Sequence, residues 1–254
     1  MKYVILVKQV PDTTRIKVDE NGNLIRQGVP SILDPYCEYA LDMVCRIRKP
    51  EDSVIVVSMG PPQAKESIFR CLELGANEAY LLSDKAFAGA DVFATSRTLT
   101  AFIRKFAADY DLIFCGKQAA DGDTAEVPAE TAAMLNVQQF CYSENIIISD
   151  TIKVTQNYND EIRVCTVPKG SVLSVSIGDI NRRVPSISDH IKALNIEIKT
   201  LDRIALGLGM YSVGIKGSKT KIESSYSPRY EHSGKIIDGT DPSEAAKLLI
   251  KEVL

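Results

Sequence analysis

The amino-acid sequence predicts an α/β fold with a largely parallel sheet, helices on both faces, antiparallel edge strands and a C-terminal arm. Short apolar runs alternate with longer segments of helical period in the first half of the chain, as in parallel sheets whose crossovers are helices. After about residue 137 the runs become short, β-rich and separated by Asn and Asp, which is typical of antiparallel strands. Residues 206–239 are rich in Gly, Ser, Lys and Tyr and show little periodicity.

Four short apolar runs are predicted to be strands covered on both faces, because each is rich in Val, Ile, Leu or Tyr. They are Tyr3–Val7, Ser53–Ser58, Ala79–Leu82 and Leu112–Cys115. Three intervening segments carry apolar residues at helical spacing and are predicted to pack on the sheet. They are Pro35–Lys49, Pro62–Leu74, which Gly75 is suited to end, and Asp91–Phe106, which Asp91 is suited to cap.

The second half of the chain is predicted to contain antiparallel edge strands at Ile146–Ile148, Thr151–Val154 and Glu161–Val167, and an amphipathic helix at Asp241–Leu254. A structureless stretch of about 30 residues does not belong inside a compact domain. Residues 206–254 are therefore interpreted either as an arm that lies on a partner and ends in a docked helix, or as a flexible linker with a packed terminal helix. In both cases residues 1–205 are predicted to form the α/β domain.

The composition excludes several classes of protein. Lys and Arg number 30 against 33 Asp and Glu, a net charge of −3, so the basic excess of a nucleic-acid binder is missing. The six cysteines contain no C-x-x-C pair, which makes a metal site improbable and favours a cytosolic protein. The first apolar run is too short for a signal segment or a membrane span. We expect a soluble cytoplasmic protein that binds neither nucleic acid nor membrane.

The candidate binding residues follow three of the predicted strands, because ligands of open α/β sheets bind beyond the carboxyl ends of the strands. After the first strand, Pro11 forces an extended bend, and Asp12 and Thr13 offer short polar side chains beside exposed amides. After the second strand, Gly60 lets a ligand approach the backbone. Both loops are compatible with a nucleotide.

The third loop gives the strongest local signal. Residues Gly116 to Thr124 run from a strand into a predicted helix, Ala125–Leu135, whose amide end attracts anions. The loop matches neither G-x-G-x-x-G nor G-x-x-x-x-G-K-[ST], so a standard dinucleotide site and a P-loop are not supported. The spacing leaves two interpretations open: a phosphate cradle, or a loop in which Asp121 and Thr124 only cap the helix.

Acid–base or covalent catalysis finds little support in the sequence. The two histidines, His190 and His232, both lie outside the strand-end loops. No residue is therefore assigned a catalytic role, and a bound cofactor should supply any chemistry.

Four motifs stand out, and they are Val7-Lys8-Gln9-Val10-Pro11-Asp12-Thr13, Asp34-Pro35-Tyr36-Cys37-Glu38, Ser58-Met59-Gly60-Pro61 and Gly116-Lys117-Gln118-Ala119-Ala120-Asp121-Gly122-Asp123-Thr124. Together they resemble the β (small) subunit of electron transfer flavoproteins, over nearly the whole chain. The resemblance implies a Rossmann-like domain of the adenine nucleotide α hydrolase-like type, in a heterodimer with a larger α subunit. It also implies that the C-terminal arm docks on the α subunit, and that an acyl-CoA-type or other flavin dehydrogenase is a partner.

The resemblance also implies a cofactor. In respiratory members of the family the β chain holds a structural AMP, whereas in electron-bifurcating members of anaerobes the same pocket holds an FAD that takes a hydride from NADH. The V-P-D-T form of the first loop resembles the bifurcating group, so FAD is favoured over AMP. The implied electron acceptors are the flavin of the α subunit and a low-potential protein such as ferredoxin. The alternative is a non-bifurcating subunit that holds AMP and serves as scaffold and docking module.

Carried onto this sequence, the resemblance places Val10, Pro11, Asp12 and Thr13 against the isoalloxazine. It assigns the ADP part of the cofactor to Ser58, Met59, Gly60, Gly116, Lys117, Gln118, Asp121, Gly122, Asp123, Thr124 and Val127, with Gly116 and Gly122 permitting close backbone approach. The family's loop for docking dehydrogenases aligns with about Arg183–Ala193. Ile187 is then the candidate for its apolar anchor, or else an ordinary packed loop residue. The chain departs from the family pattern at residues 154–161, 169–171 and 191–195, outside the nucleotide pocket.

Overall fold

The computed structural model describes residues 1–12, 30–177, 183–221, 223, 234 and 236–252, and only the backbone of residues 17–18, 24–25 and 253. The candidate residue Thr13 lies outside the described residues. The chain divides into two compact units, Met1–Lys221 and Ile222–Leu254.

The strands, in chain order, are β1 Lys2–Leu6, β2 Gln9–Pro11, β3 Lys17–Val18, β4 Leu24–Ile25, β5 Ser31–Leu33, β6 Ser53–Met59, β7 Glu78–Leu82, β8 Leu112–Gly116, β9 Gln139–Ile148, β10 Ile152–Asn157, β11 Ile162–Val167, β12 Val172–Val175 and β13 Ile198–Leu201. The α-helices are α1 Pro35–Ile47, α2 Lys65–Glu73, α3 Val92–Phe106, α4 Val127–Leu135, α5 Ile187–Leu194, α6 Gly214–Gly217 and α7 Pro242–Val253.

One mixed sheet organises the first unit. Across the described residues it has nine strands in the order β11-β10-β9-β12-β8-β1-β6-β7-β13. The strands from β9 to β13 in that order are parallel to their neighbours, while β10 pairs antiparallel with both β9 and β11. The predicted α/β class, the four parallel strands and the antiparallel edge are thus confirmed. The sheet also contains β12 and β13, two strands that the sequence did not predict.

Two hydrophobic cores lie on opposite faces of the sheet and explain why its central parallel strands are almost entirely apolar. In β1, Tyr3 and Ile5 belong to the core under α1 and α2, whereas Val4 and Leu6 belong to the core under α3 and α4. All four side chains are buried. A strand covered on both faces has no solvent side, and therefore no polar alternation.

The helix starts follow from local capping. Asp34 accepts hydrogen bonds from the amides of the first turn of α1, and Asp91 accepts one from Ala94 at the start of α3. The helix predicted at Ala125 begins two residues later, because Ala125 has a left-handed backbone with φ of 57°. The capping roles considered for Asp121 and Thr124 are wrong, since Glu126 occupies the N-cap position of α4 and makes no side-chain capping bond.

The compact unit extends past residue 205, where the sequence suggested a boundary. Leu206 and Val213 are buried in the core under α3. The carboxylate of Asp91 also accepts hydrogen bonds from the backbone N–H of Lys219 at 2.7 Å and of Thr220 at 2.8 Å. These contacts bind residues 206–221 to the first unit. Docking of the remaining segment on a partner stays a prediction.

Among the residues that the structure describes, no helix is both long enough and apolar enough to cross a membrane.

Two glycines of the third loop differ sharply in their surroundings, which gives a test of the packing. A Cβ at Gly116 would lie 2.7 Å from the Cβ of Tyr36 and 2.9 Å from the backbone N of Cys37, whereas a Cβ at Gly122 meets nothing within 4 Å. We expect Gly116→Ala to lower the free energy of unfolding by about 1–3 kcal/mol through overpacking. The matched control Gly122→Ala should change it by less than about 0.5 kcal/mol. Urea titration measures both, and equal effects would contradict the assigned packing.

Candidate nucleotide-binding site

A crevice opens where the order of the strands reverses. From β1 the chain passes to β6 on one side and then to β7, and it later returns to β8 on the other side of β1. Such a reversal is the point at which doubly wound sheets bind nucleotides, because the flanking loops diverge beyond the carboxyl ends of the two strands. The loops that follow β1 and β8 therefore line the candidate site.

The buried carboxylate of Asp34 joins the three segments that build this crevice. One oxygen accepts hydrogen bonds from the backbone N–H of Tyr36 at 2.9 Å and of Cys37 at 3.3 Å, at the start of α1. The other accepts the N–H of Ala120 at 3.0 Å, in the loop after β8. The backbone N–H of Asp34 donates to the carbonyl of Lys8 at 2.9 Å, after β1. Asp34 itself is 0% exposed.

A surface ion pair crosses from one loop to the other. The Nζ of Lys8 lies 2.6 Å from a carboxylate oxygen of Asp121, and both side chains are partly exposed. An exposed pair of this kind adds little stability, but it restrains the two loops relative to each other. The carboxylate of Asp123 accepts a hydrogen bond from the side chain of Gln118. Both acidic side chains of the loop thus have protein partners.

The loop after β8 is held in a strained shape before α4 begins. Asp123 and Ala125 both have left-handed backbones, with φ of 52° and 57°. For alanine this conformation costs roughly 1–2 kcal/mol, and strain of this kind is often found at ligand sites. The start of α4, from Val127, has no capping side chain from Glu126. Pro128 has no backbone N–H, so the N–H groups of Val127 and Ala129 are the ones at this helix start that can attract an anion such as a phosphate.

The carboxyl end of β6 contributes an unsatisfied hydroxyl. Ser58 is 1% exposed, and its Oγ has no hydrogen-bond partner in the structure. A buried polar atom of this kind calls for an explanation, and a polar ligand atom at the carboxyl end of β6 would provide one. A Cβ at Gly60 would approach the Cβ of Ala64 to 3.2 Å, so the small residue lets the chain turn tightly there.

The loop after β1 is fixed by its neighbours. Its strand β2 pairs with β5, and the backbone N–H of Asp12 donates to the carbonyl of Pro30 at 2.8 Å. The side chain of Gln9 donates to the carbonyl of Gln63 at 3.2 Å, which links this loop to the one after β6. Val10 and Asp12 are buried, whereas Pro11 is exposed.

The structure therefore brings the described nucleotide-site candidates to the carboxyl ends of three neighbouring strands. Val10, Pro11 and Asp12 follow β1, and Met59 and Gly60 accompany Ser58 at the end of β6. The remaining candidates follow β8, and they are Lys117, Gln118, Asp121, Gly122, Asp123, Thr124 and Val127. Gly116 differs, because its missing side chain admits the start of α1 and not a ligand.

The candidate docking residue Ile187 lies elsewhere, on α5. The predicted loop is mostly this helix, which Ser186 and Asp189 begin as a capping box. Ile187 is 82% exposed, so it is not packed within its unit. The Nδ1 of His190 lies 2.7 Å from a carboxylate oxygen of Glu73, which holds α5 against α2. The S-x-x-D pattern was the sequence signal for this helix.

Sequence reasoning missed Asp34 and Lys8 as parts of the site, and also a neighbouring polar cavity. The cavity has a volume of about 400 Å³, and Lys117 lies in its wall with its Nζ 5.0 Å from the ring centre of Tyr142. The rings of Tyr142 and Tyr158 meet edge to face at 5.3 Å. Lys117 directly follows β8, Tyr142 lies in β9 and Tyr158 directly follows β10, so no single spacing in the sequence connects them.

The ionisable groups near the crevice do not suggest a nucleophile. Burial raises the pKa of the Cys37 thiol to about 12, and burial also raises the pKa of Cys115. Both therefore remain protonated and weakly nucleophilic at neutral pH. In the described part of the chain, no group of three or more His, Cys, Asp or Glu side chains is placed to hold a metal ion.

Comparisons with known proteins agree with this geometry. The family model of the electron transfer flavoprotein domain matches residues 21–182. The chain is 40% identical to an electron transfer flavoprotein subunit beta of Thermoanaerobacterium thermosaccharolyticum, over 100% of this chain and 98% of that protein. It is 38% identical to the caffeyl-CoA reductase-Etf complex subunit CarD of Acetobacterium woodii, over 100% and 98%. It is also 38% identical to protein FixA of Azotobacter vinelandii, over 90% and 85%.

The doubly wound sheet, with a polar crevice at its switch point, defines a protein of the doubly wound α/β class. The chain belongs to the electron transfer flavoprotein family, and its similar relatives include proteins named as the beta subunit. The family resemblance that the four motifs indicated is confirmed.

The double role of Asp34 can be tested with one substitution. In Asp34→Asn the remaining side-chain oxygen still caps α1, but the new NH₂ group faces the N–H of Ala120. Two donors cannot bond to each other, so the hydrogen bond between Asp34 and the loop after β8 is lost. We expect nucleotide occupancy of this chain to fall severalfold, while helix content by circular dichroism is unchanged. Asp84→Asn is the matched control, because Asp84 also accepts one capping N–H and one distant N–H, that of Arg203, away from the crevice. Equal losses in both variants would contradict a specific role.

The loop itself can be tested by a double substitution. We expect Asp123→Ala with Thr124→Ala to lower nucleotide occupancy of this chain while the flavin of the partner subunit stays bound. The conservative pair Asp123→Asn with Thr124→Ser retains the side-chain oxygens and a residue tolerant of the left-handed backbone, so it should keep its nucleotide. Chromatography of acid-released nucleotides measures both. Unchanged occupancy in the alanine pair would remove this loop from the site.

Proposed function

We propose that this chain is the β subunit of a heterodimeric electron transfer flavoprotein and that its crevice binds FAD. The observation that carries the proposal is the crevice assembled by Asp34 at the switch point. It offers an uncapped helix start for a pyrophosphate and the unsatisfied hydroxyl of Ser58 for another polar ligand atom. The V-P-D-T loop and the similarity to the subunit of a caffeyl-CoA reductase-Etf complex favour FAD over AMP.

When bound, the flavin supplies the redox chemistry: NADH gives up a hydride, and its two electrons leave singly, one to the flavin of the α subunit and one to a low-potential acceptor such as ferredoxin, with one proton released to water. The residues of this chain position the cofactor. Lys8 and Asp121 restrain the loops on either side, and Asp34 fixes the loop after β8 on the start of α1. No side chain of the crevice is required as a nucleophile or as a proton donor.

The proposal assigns two partners to different parts of the chain. The α subunit receives the arm beyond the compact unit, whose helix α7 exposes Leu248, Leu249 and Ile250. An acyl-CoA-type or other flavin dehydrogenase docks at α5, where Ile187 and Ile191 expose an apolar row at helical spacing. We place the complex in the cytoplasm.

Anaerobic titration with NADH tests the proposed redox role. We expect NADH to bleach the flavin absorbance of the purified heterodimer and to reduce ferredoxin once the dehydrogenase and its substrate are added. In the heterodimer that carries Asp34→Asn, NADH should bleach far less flavin, because only the α-subunit flavin remains bound. If NADH fails to reduce the wild-type heterodimer, the crevice serves a structural nucleotide such as AMP, and this chain is a scaffold and docking module.

Dehydrogenase docking can be tested at Ile187. We expect Ile187→Glu to raise the KM of the dehydrogenase for this flavoprotein at least about tenfold, because exposed apolar anchors often dominate an interface. Nucleotide content and heterodimer formation should not change. Ile147→Glu is the control, since Ile147 is also exposed but lies on β9. A KM that is unchanged by Ile187→Glu would exclude the assigned anchor.

A further inference from the structure

The face of the sheet covered by α3 carries a groove that the proposed function does not use. Its volume is about 290 Å³, and its lining includes the apolar side chains of Phe93, Met134 and Leu208. Arg97 and Arg104 of α3 also line it. They are seven residues apart on one helix, so they are separated by roughly 10 Å along the groove.

Apolar side chains continue this surface beyond the groove. Tyr211 is 80% exposed and Ile215 is 69% exposed, on the segment that ends the compact unit. Arg97 joins the two parts, because its guanidinium donates to the carbonyl of Ser212 at 3.4 Å. Exposed apolar side chains that adjoin a groove in this way are often found at interaction sites.

Four cationic side chains lie around the groove without forming an ion pair among the described residues. Within the described ranges, no carboxylate lies within 4 Å of the cationic groups of Arg97, Arg104, Lys216 or Lys219. Three of them instead lie over aromatic rings: Arg97 at 4.5 Å and Lys219 at 5.4 Å from the ring centre of Phe93, and Lys216 at 5.3 Å from that of Tyr211. The whole chain has a net charge of −3, so this cluster is a local feature.

The groove lies where the chain leaves its compact unit. Asp91, the N-cap of α3, holds the backbone of Lys219 and Thr220, and the unit ends at Lys221. Burial would raise the pKa of Asp91, but hydrogen bonds from the backbone N–H groups of Ala94, Thr220 and Lys219 lower it to about 2, so Asp91 is charged at neutral pH. Helix α5 packs instead on α2, against the opposite core. The groove is therefore distinct from the proposed dehydrogenase contact.

We infer that this groove binds an acidic amphipathic segment of the α subunit, with apolar side chains on Phe93 and Leu208 and carboxylates opposite Arg97 and Arg104. The inference rests on the proposed function, because it is the α subunit that receives the arm. Two observations favour that occupant: Lys219, near the end of the first unit, lies over Phe93 of the groove, and the cations without ion-pair partners complement acidic side chains. A helix laid along α3 would present carboxylates two turns apart to the two arginines.

Charge reversal tests the inference in the full-length heterodimer. We expect Arg97→Glu with Arg104→Glu to raise the dissociation constant of the heterodimer at least about tenfold, and to weaken its dependence on salt concentration. The matched control is Lys65→Glu with Lys153→Glu, which makes the same change of charge at exposed positions on α2 and β10. Its dissociation constant should stay within about twofold of the wild-type value. Analytical ultracentrifugation measures the constants, and thermal unfolding monitored by circular dichroism verifies that each variant is folded.

A second substitution, Tyr211→Ser, tests the same surface at a residue outside α3. Because its side chain is largely exposed, the substitution should preserve the fold and still weaken the heterodimer severalfold. If the wild-type heterodimer forms and neither Arg97→Glu with Arg104→Glu nor Tyr211→Ser changes its dissociation constant, the inference is overturned and the proposed function stands. If the wild-type chain binds no α subunit, the inference about the groove and the proposed function both fail. Binding of phosphatidylcholine–phosphatidylserine vesicles that is lost in the arginine variant, with unchanged heterodimer affinity, would instead assign the groove to a lipid surface.

Discussion

The buried carboxylate of Asp34 is the interaction on which the rest of the site depends. A carboxylate without solvent is costly unless hydrogen bonds replace its water, and here three backbone N–H groups do so. Those N–H groups belong to the start of α1 and to the loop after β8, and the backbone of Asp34 adds a bond to the loop after β1. The hydrogen bonds made by this one residue thus fix the relative positions of the segments that flank the switch point.

The same arrangement explains where the backbone is tight and where it is open. Gly116 brings the end of β8 against Tyr36, so that the amide of Ala120 can reach Asp34. Beyond that contact the loop is exposed and strained, with Ala125 in the left-handed region. A rigid base below an open loop is an arrangement suited to a ligand that supplies its own charges and hydrogen-bond acceptors.

The sequence predicted the fold well because both faces of the sheet are covered. Runs such as residues 53–58 have no polar alternation and could be recognised as strands without tertiary information. Strand β13 was missed because it lies at an edge and is only partly buried, so its apolar pattern is weak. Helix α5 was missed although its capping box was legible in the sequence.

The site was predictable in its loops but not in its connections. The strand-end rule and the family motifs indicated the correct loops, whereas the bond between Asp34 and Ala120 joins residues 86 positions apart and has no local signature. The late start of α4 depends on the backbone of Ala125, a residue type that rarely adopts that conformation. Pairing of Asp121 with Lys8 likewise follows only from the closeness of two loops in space.

The nucleotide content of the heterodimer tests the central claim most directly. Acid release followed by chromatography separates FAD from AMP, and each is scaled to protein. The account predicts two FAD and no AMP per heterodimer, one FAD being held in the crevice of this chain. One FAD together with one AMP would contradict it, since this chain would then bind a nucleotide without taking part in the redox chemistry.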